Sequence, residues 1–281
     1  MNFRFIHDDN GTLKDYSTEL ADYTSTSTAV IPLVAADDAL YFGSFFPFNS
    51  IYIKMKTLNI IASTLSLQYW CGRGRGWISA VEKKDESSGL TTSGRITFVP
   101  NKNDGWVGED TVNSSGVEQI TDLGGVTIYD RYWLKATYSA SLTVGTEIEW
   151  IGQIFCSDSD LYSEFPLFNS SNLMTAYATG KTTWEEQRVR ASELLIEKLI
   201  SQRIILSGNQ LLDWRTYKTA CVAKTASIIF SGLGQDYKEE ENKAEAKFNE
   251  RMEKVVYNVD SNNDGRLESK ETRTTQGFLF R

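Results

Sequence analysis

The chain has 281 residues, enough to bury two cores without covalent staples, and its 41% hydrophobic and 12% aromatic content excludes a disordered polypeptide. Charge is uneven, with 12 Lys and Arg against 21 Asp and Glu up to position 169 and 17 against 16 beyond it, which leaves no basic face for tight binding of duplex DNA. His7 is the only histidine, so histidine-based nucleophile systems and histidine-rich metal sites are excluded; Cys71, Cys156 and Cys221, far apart and without CxxC spacing, read as free thiols in a reducing compartment.

The stretch from Met1 meets acidic residues within eight positions and has no apolar core, so no secretory signal is expected, and residues 1–28 read as a polar N-terminal arm. No run approaches the ~18 apolar residues of a membrane span. From Ala29 to Cys156 short alternating runs are broken by turn residues. Leu65, Leu67 and Tyr69 alternate with Ser66, Gln68 and Trp70, and 133–138 and 146–151 also read as extended. Gly72-Arg73-Gly74-Arg75-Gly76, Ser87-Ser88-Gly89, Asn103-Asp104-Gly105 and Leu123-Gly124-Gly125 supply the turns. The expectation for 29–156 is an antiparallel β-sandwich or jelly-roll-like domain.

Residues 157–182 are polar and read as a linker. Thr183-Trp184-Glu185-Glu186 fits a capping box, from which a helix carrying Leu194, Leu195, Ile196, Leu199, Ile200, Ile204 and Ile205 is expected. A second helix starts after Asp213 and ends at Gly232-Leu233-Gly234. A third runs from about Asp236 to Asn258 with a thin apolar stripe of Ala244, Phe248, Met252, Val255, Val256 and Val259. Residues 183–259 thus make an antiparallel helical bundle whose third helix leaves one face for solvent or a partner. The fold class is α+β: β-sandwich, then helical bundle, then an extended C-terminal tail.

Asp260-Ser261-Asn262-Asn263-Asp264-Gly265-Arg266-Leu267-Glu268-Ser269-Lys270-Glu271 matches the EF-hand loop, with oxygen side chains at loop positions 1, 3, 5, 9 and 12, glycine at 6, and Arg266 offering its carbonyl. Asp260, Asn262, Asp264, Arg266, Glu268 and Glu271 are therefore candidate Ca2+ ligands. The entering helix is present, the exiting one weak, and a metal-free Asn/Gly-rich helix stop fits the same residues. No cofactor is required. Acid pairs such as Asp37-Asp38, Asp158/Asp160 and Glu185-Glu186 read as surface, and no catalytic constellation emerges. Trp70, Trp77, Trp106, Trp133 and Trp150 suit either core packing or a sugar-stacking platform. The tail 272–281 ends in Phe278-Leu279-Phe280-Arg281, too short to bury itself, which favours docking in another protein's groove.

Thr183-Trp184-Glu185-Glu186-Gln187, the amphipathic 191–205 segment, the 220–230 helix, Val255-Val256-Tyr257-Asn258-Val259-Asp260 and Gln276-Gly277-Phe278-Leu279-Phe280-Arg281 together make residues 175–281 resemble the head-to-tail adaptor (connector) proteins of tailed double-stranded DNA bacteriophages. Through Leu40-Tyr41-Phe42-Gly43, Pro47-Phe48-Asn49 and Tyr129-Asp130-Arg131-Tyr132-Trp133-Leu134, the β region is similar to neck or tail proteins of contractile-tailed phages. The resemblance implies a non-enzymatic virion protein, a homo-oligomeric ring of commonly twelve copies in the neck, assembled in the host cytoplasm. It implies contact with the portal through Gly277, Phe278, Leu279, Phe280 and Arg281, contact with the next neck or tail protein, and a channel through which DNA passes without specific binding. A β domain of this size departs from the small adaptors. Two alternatives stand beside this reading: a tail or baseplate module whose β domain binds a host glycan, and a carboxylate enzyme acting on cell-wall polymer.

Overall fold

Successive side chains of a strand point to opposite faces, so a strand that is apolar on both must be covered on both. That condition shapes the N-terminal half of this protein. A computed structural model describes residues 3–35, 37–72, 74–109, 123, 131–268 and 271–274. The chain divides into two compact units: Met1–Gly152 with Asp260–Arg266, and Gln153–Val259 with Leu267–Arg281.

The first unit contains twelve strands among its described residues: β1 (Arg4–Asp9), β2 (Thr12–Asp15), β3 (Ala29–Val30), β4 (Ala39–Ser44), β5 (Ser50–Thr57), β6 (Leu65–Trp70), β7 (Trp77–Ser79), β8 (Val81–Asp85), β9 (Gly94–Val99), β10 (Gly108–Glu109), β11 (Arg131–Tyr138) and β12 (Glu147–Gly152). One antiparallel sheet runs β2-β1-β4-β11-β6-β7, with β10 also on β11; the other runs β3-β12-β5-β9-β8. The two share one core. Phe5, Leu40, Phe42, Leu67, Tyr69 and Leu134 of the first sheet are buried in one cluster with Ile51, Ile53, Ile96, Phe98, Ile148 and Ile151 of the second. The expected sandwich is thus present.

The residues that alternate with this set are also apolar. Ile6, Tyr41, Trp70 and Trp133 form a second buried cluster on the outer face of the larger sheet, joined by Leu123. Close packing there fixes a glycine: Gly43 lies opposite Trp133 in the β4–β11 register, and a Cβ on it would sit 2.7 Å from the indole ring. The stretch expected as an N-terminal arm supplies β1 and β2 instead, and Phe3, Phe5, Ile6 and Leu20 are buried. Its polar appearance comes from the β1–β2 turn, where Asn10 and Gly11 both take positive φ. The Gly72–Gly76 stretch is the connection of the β6–β7 hairpin: Trp70 pairs with Trp77, and Cys71 N–H donates to Gly76 O.

The second unit holds α1 (Asp158–Glu164), α2 (Ser171–Tyr177), α3 (Glu185–Ser201), α4 (Lys218–Leu233) and α5 (Lys238–Lys254), followed by β13 (Val256–Asn258) and β14 (Thr272–Thr274). Helix α4 is central and nine of its sixteen residues are buried, among them Ala220, Ala223 and Ala226, whose small side chains let neighbouring helices approach closely. Helix α5 buries only Ala244, Phe248 and Met252, one side chain per turn, which is the thin stripe expected. The region read as a linker folds into α1 and α2 with a 3-10 turn (Pro166–Asn169) between them, and Leu161, Phe168 and Met174 from these three pieces enter the helical core. The capping box is also placed differently. It forms at Ser157 and Asp160, at the start of α1. Thr183 accepts from Glu185 N–H and donates to Asp158, while Trp184, packed on Phe168 with its Nε1 donating to Phe168 O at 2.8 Å, occupies the cap position of α3. The tertiary anchor of Trp184 fixes where the helix begins.

Candidate functional site

The EF-hand-like loop is flanked by strands. Helix α5 ends at Lys254, and β13 pairs with β14 through Val256↔Thr274, Tyr257↔Arg273 and Asn258↔Thr272, so the expected entering helix stops short and a strand stands where an exiting helix would. The β-branched Val255-Val256 pair explains the change, since these side chains favour extended backbone.

The first seven residues of the loop belong to the first unit. Asp260 is fully buried and accepts from Asp264 N at Oδ1 (3.2 Å) and from Gly265 N at Oδ2 (2.9 Å). Asn262 Oδ1 accepts from Asp264 N at 3.1 Å, and Asp264 Oδ1 accepts from Arg266 N at 2.8 Å. Oxygens of Asp260 and Asp264 come within 4.8 Å of each other. Gly265 holds φ +73°, and a Cβ on it would sit 3.1 Å from Pro100 and Trp106 and 3.3 Å from Pro47. Arg266 turns its guanidinium to Pro100 O. The other candidates belong to the second unit. Glu271 is fully buried, its Oε2 accepts from Glu268 N at 3.0 Å, and its carbonyl accepts from Val259 N at 3.4 Å. The loop residues are thus held by hydrogen bonds of their own, and a cation at Asp260, Asn262, Asp264, Arg266, Glu268 and Glu271 is a matter for proposal.

The remaining sequence candidates divide clearly. Gly277, Phe278, Leu279, Phe280 and Arg281 lie outside the described residues. Asp38 is buried and accepts from Asn10 N and Val34 N; Asp158 pairs with Arg188 at 2.8 Å and Asp160 with Lys218 at 2.8 Å, so these acids have structural partners. Trp70, Trp106, Trp133 and Trp150 are buried, and Trp77 is half-buried against Tyr41 and Trp70. They do not present an open stacking platform. No helix among the described residues is long and apolar enough to cross a membrane.

Sequence patterns passed over one surface. At one end of the sandwich residues 31–35 of the β3–β4 connection and 87–93 of the β8–β9 connection are tied to the connections 58–64 and 139–146. The hub is Asn59, buried, whose Oδ1 accepts from Ile61 N, Thr143 N and Thr143 Oγ1, each at 3.0 Å, and whose Nδ2 donates to Gly89 O at 2.9 Å. Leu142 N–H donates to Leu33 O, and Ser63 Oγ to Ala140 O. On this rigid frame Ile60 is 82% exposed and Val144 89%, with Val34, Leu58 and Ile61 also exposed. The 58–64 and 139–146 connections contain no charged residue, in a chain that is 23% charged, whereas Asp37 and Asp38 lie in the connection that leads to β4 and Glu86 in the one that leads to β9. The two uncharged connections, each bearing exposed aliphatic residues, were the available signal.

An α+β protein of two units, with an exposed aliphatic patch at one end of its β unit, is what the fold and surface define. The chain matches no family model, and no curated protein matches it.

Proposed function

We propose that this protein is a structural component of a tailed-phage neck, a ring-forming adaptor that joins the portal to the tail and continues the DNA channel. Two things support the reading: the resemblance of residues 175–281 to head-to-tail adaptors, and a structure with surface built for contact. The observation that carries assembly over catalysis is the exposed aliphatic patch at one end of the β unit, centred on Ile60 and Val144. Exposed aliphatic side chains on a rigid frame are costly in water and mark a surface that another protein covers. We assign that cover to a second copy of the chain, because two molecules of net charge −8 meet with least repulsion through the 58–64 and 139–146 connections, which carry no charge.

In this reading Gly277 to Arg281 dock into the portal and the next neck or tail protein meets the opposite side of the ring, for which twelve copies are proposed. DNA slides past without tight phosphate contacts, in keeping with an acidic chain. The protein is assembled in the host cytoplasm and resides in the virion neck. Ca2+ at the 260–271 loop is an accessory ligand. The glycan-binding alternative has less support, since four of the five tryptophans that would stack on sugars are buried.

The test is to mix the protein with its cognate portal ring and image the product by electron microscopy, beside a variant lacking Gly277 to Arg281. A symmetric collar under the portal that is lost with the truncation is expected. Absence of any association by the full-length chain would sink the proposal.

A further inference from the structure

Cys156 and Cys221 are distant in sequence, yet their sulfurs lie 3.3 Å apart in the core of the helical unit, both fully buried. Cys156 precedes α1, and its carbonyl accepts from Arg188 at 2.9 Å, while Cys221 lies in the first turn of α4. Ser192 Oγ stands 3.4 Å from Cys221 Sγ and Thr225 Oγ1 3.7 Å from Cys156 Sγ. Phe155 N–H donates to Ser192 Oγ at 3.2 Å, which ties the segment bearing Cys156 to α3. Packing of this kind holds two thiols face to face in the folded state. Cys71, the third thiol, is buried in the other unit.

We propose that Cys156 and Cys221 are an oxidative cross-linking site, reduced as folded here and converted to a disulfide by a small peroxide. Forming an S–S bond of about 2.05 Å requires the sulfurs to close by roughly 1.3 Å, within reach of small side-chain rotations. Burial opposes a thiolate at both positions and pushes Cys156 well up; at Cys221 the hydrogen bonds from Cys156 and Ser192 outweigh it and draw the thiol below its ordinary range. The first attack is assigned to Cys221, which lies in the first turn of α4, where the helix N-terminus favours a thiolate.

The chemistry balances with hydrogen peroxide as oxidant. The Cys221 sulfur attacks one peroxide oxygen, the O–O bond breaks, and the departing hydroxide leaves as water with the thiol proton. The Cys156 sulfur then attacks the resulting sulfenic acid, the S–O bond breaks, and a second water leaves with the Cys156 proton. Two thiols have lost two electrons and peroxide has gained them. Because the pair is enclosed, reaction waits on local opening, and only a molecule of peroxide's size is suited to enter. The new bond joins the segment before α1 to α4 across 65 positions, which removes chain entropy from the unfolded state.

The folded protein is treated with hydrogen peroxide, quenched with catalase, denatured in iodoacetamide and digested for mass spectrometry. A peptide pair joining Cys156 to Cys221, two hydrogens lighter than its parts and cleaved by dithiothreitol, is expected, with Cys71 recovered alkylated. The oxidised protein should unfold several degrees higher, and Cys71→Ser should behave as the parent. Recovery of Cys156 and Cys221 as separate alkylated or sulfonic acid residues, or cross-links that run through Cys71, would overturn the assignment.

Discussion

His7 shows how much a single position depends on its surroundings. Read along the chain it sits in an acidic, polar leader, but in the fold it is a fully buried residue of β1, with Nε2 3.8 Å from Asp38 Oδ2. Burial holds its pKa below 6.5, outweighing the pull of Asp38, Asp9 and Asp8, while Lys14 adds to the lowering. The sign follows from linkage. The unfolded chain takes up a proton as pH falls through 6.5 and the folded protein does so only at lower pH, so stability is full above 6.5 and declines as pH falls below it. Thermal unfolding between pH 7.5 and 5.5 should show this decline in the parent and a flatter profile in His7→Gln; equal slopes would refute it. The carboxylates tell the same story. Asp38, Asp158 and Asp160 look like surface acids in a chain with 37 of them, yet each holds backbone or a cation in place.

Among the elements, the longest and most periodic were the most legible. Leu65–Trp70 is a strand over the expected residues, and the core helices α3, α4 and α5 fall inside their expected stretches because one face of each must be apolar to pack. Their ends were less legible. The Thr183 capping box satisfies the local pattern, but burial of Trp184 against Phe168 decides the actual start of α3. The 260–271 loop joins two strands where its spacing suggested two helices, since pairing of β13 with β14 is a long-range event that no local pattern states. The same element carries a ligand prediction. If Ca2+ occupies the loop, adding it should raise the unfolding temperature in proportion to the logarithm of its concentration over Kd, and Asp260→Asn or Glu271→Gln should remove the rise. An unfolding temperature indifferent to Ca2+ and to chelator would leave the loop as a metal-free turn.

At the scale of the whole molecule, the exposed aliphatic patch at one end of the β unit sets the expected behaviour. Replacing Ile60 and Val144 together by Asp puts two like charges on each face of the proposed contact without disturbing the Asn59 hub, since both side chains point to solvent. Light scattering and sedimentation should show the parent associating with itself, on the portal if not alone, and the double variant failing to do so at an unchanged unfolding temperature. Equal assembly by both would refute the assignment of this end to a second copy. The aromatic-rich β region is explained at this scale as well, because a sheet covered on both faces needs large side chains on successive positions, and the tryptophans supply them.

The sequence by itself determined the α+β class, the order of a β region before a helical one, the thin apolar stripe of α5 and the glycine-rich hairpin between β6 and β7. These depend on period and turn chemistry within a few residues, which composition and spacing encode directly. Only the tertiary structure decided that the supposed arm is the first pair of strands, that the supposed linker is two core helices, that His7 is buried, that Cys156 meets Cys221, and that four connections converge on one end. Each of these joins residues far apart along the chain, and distance along the chain says nothing of distance in space until strands find their register and helices their neighbours.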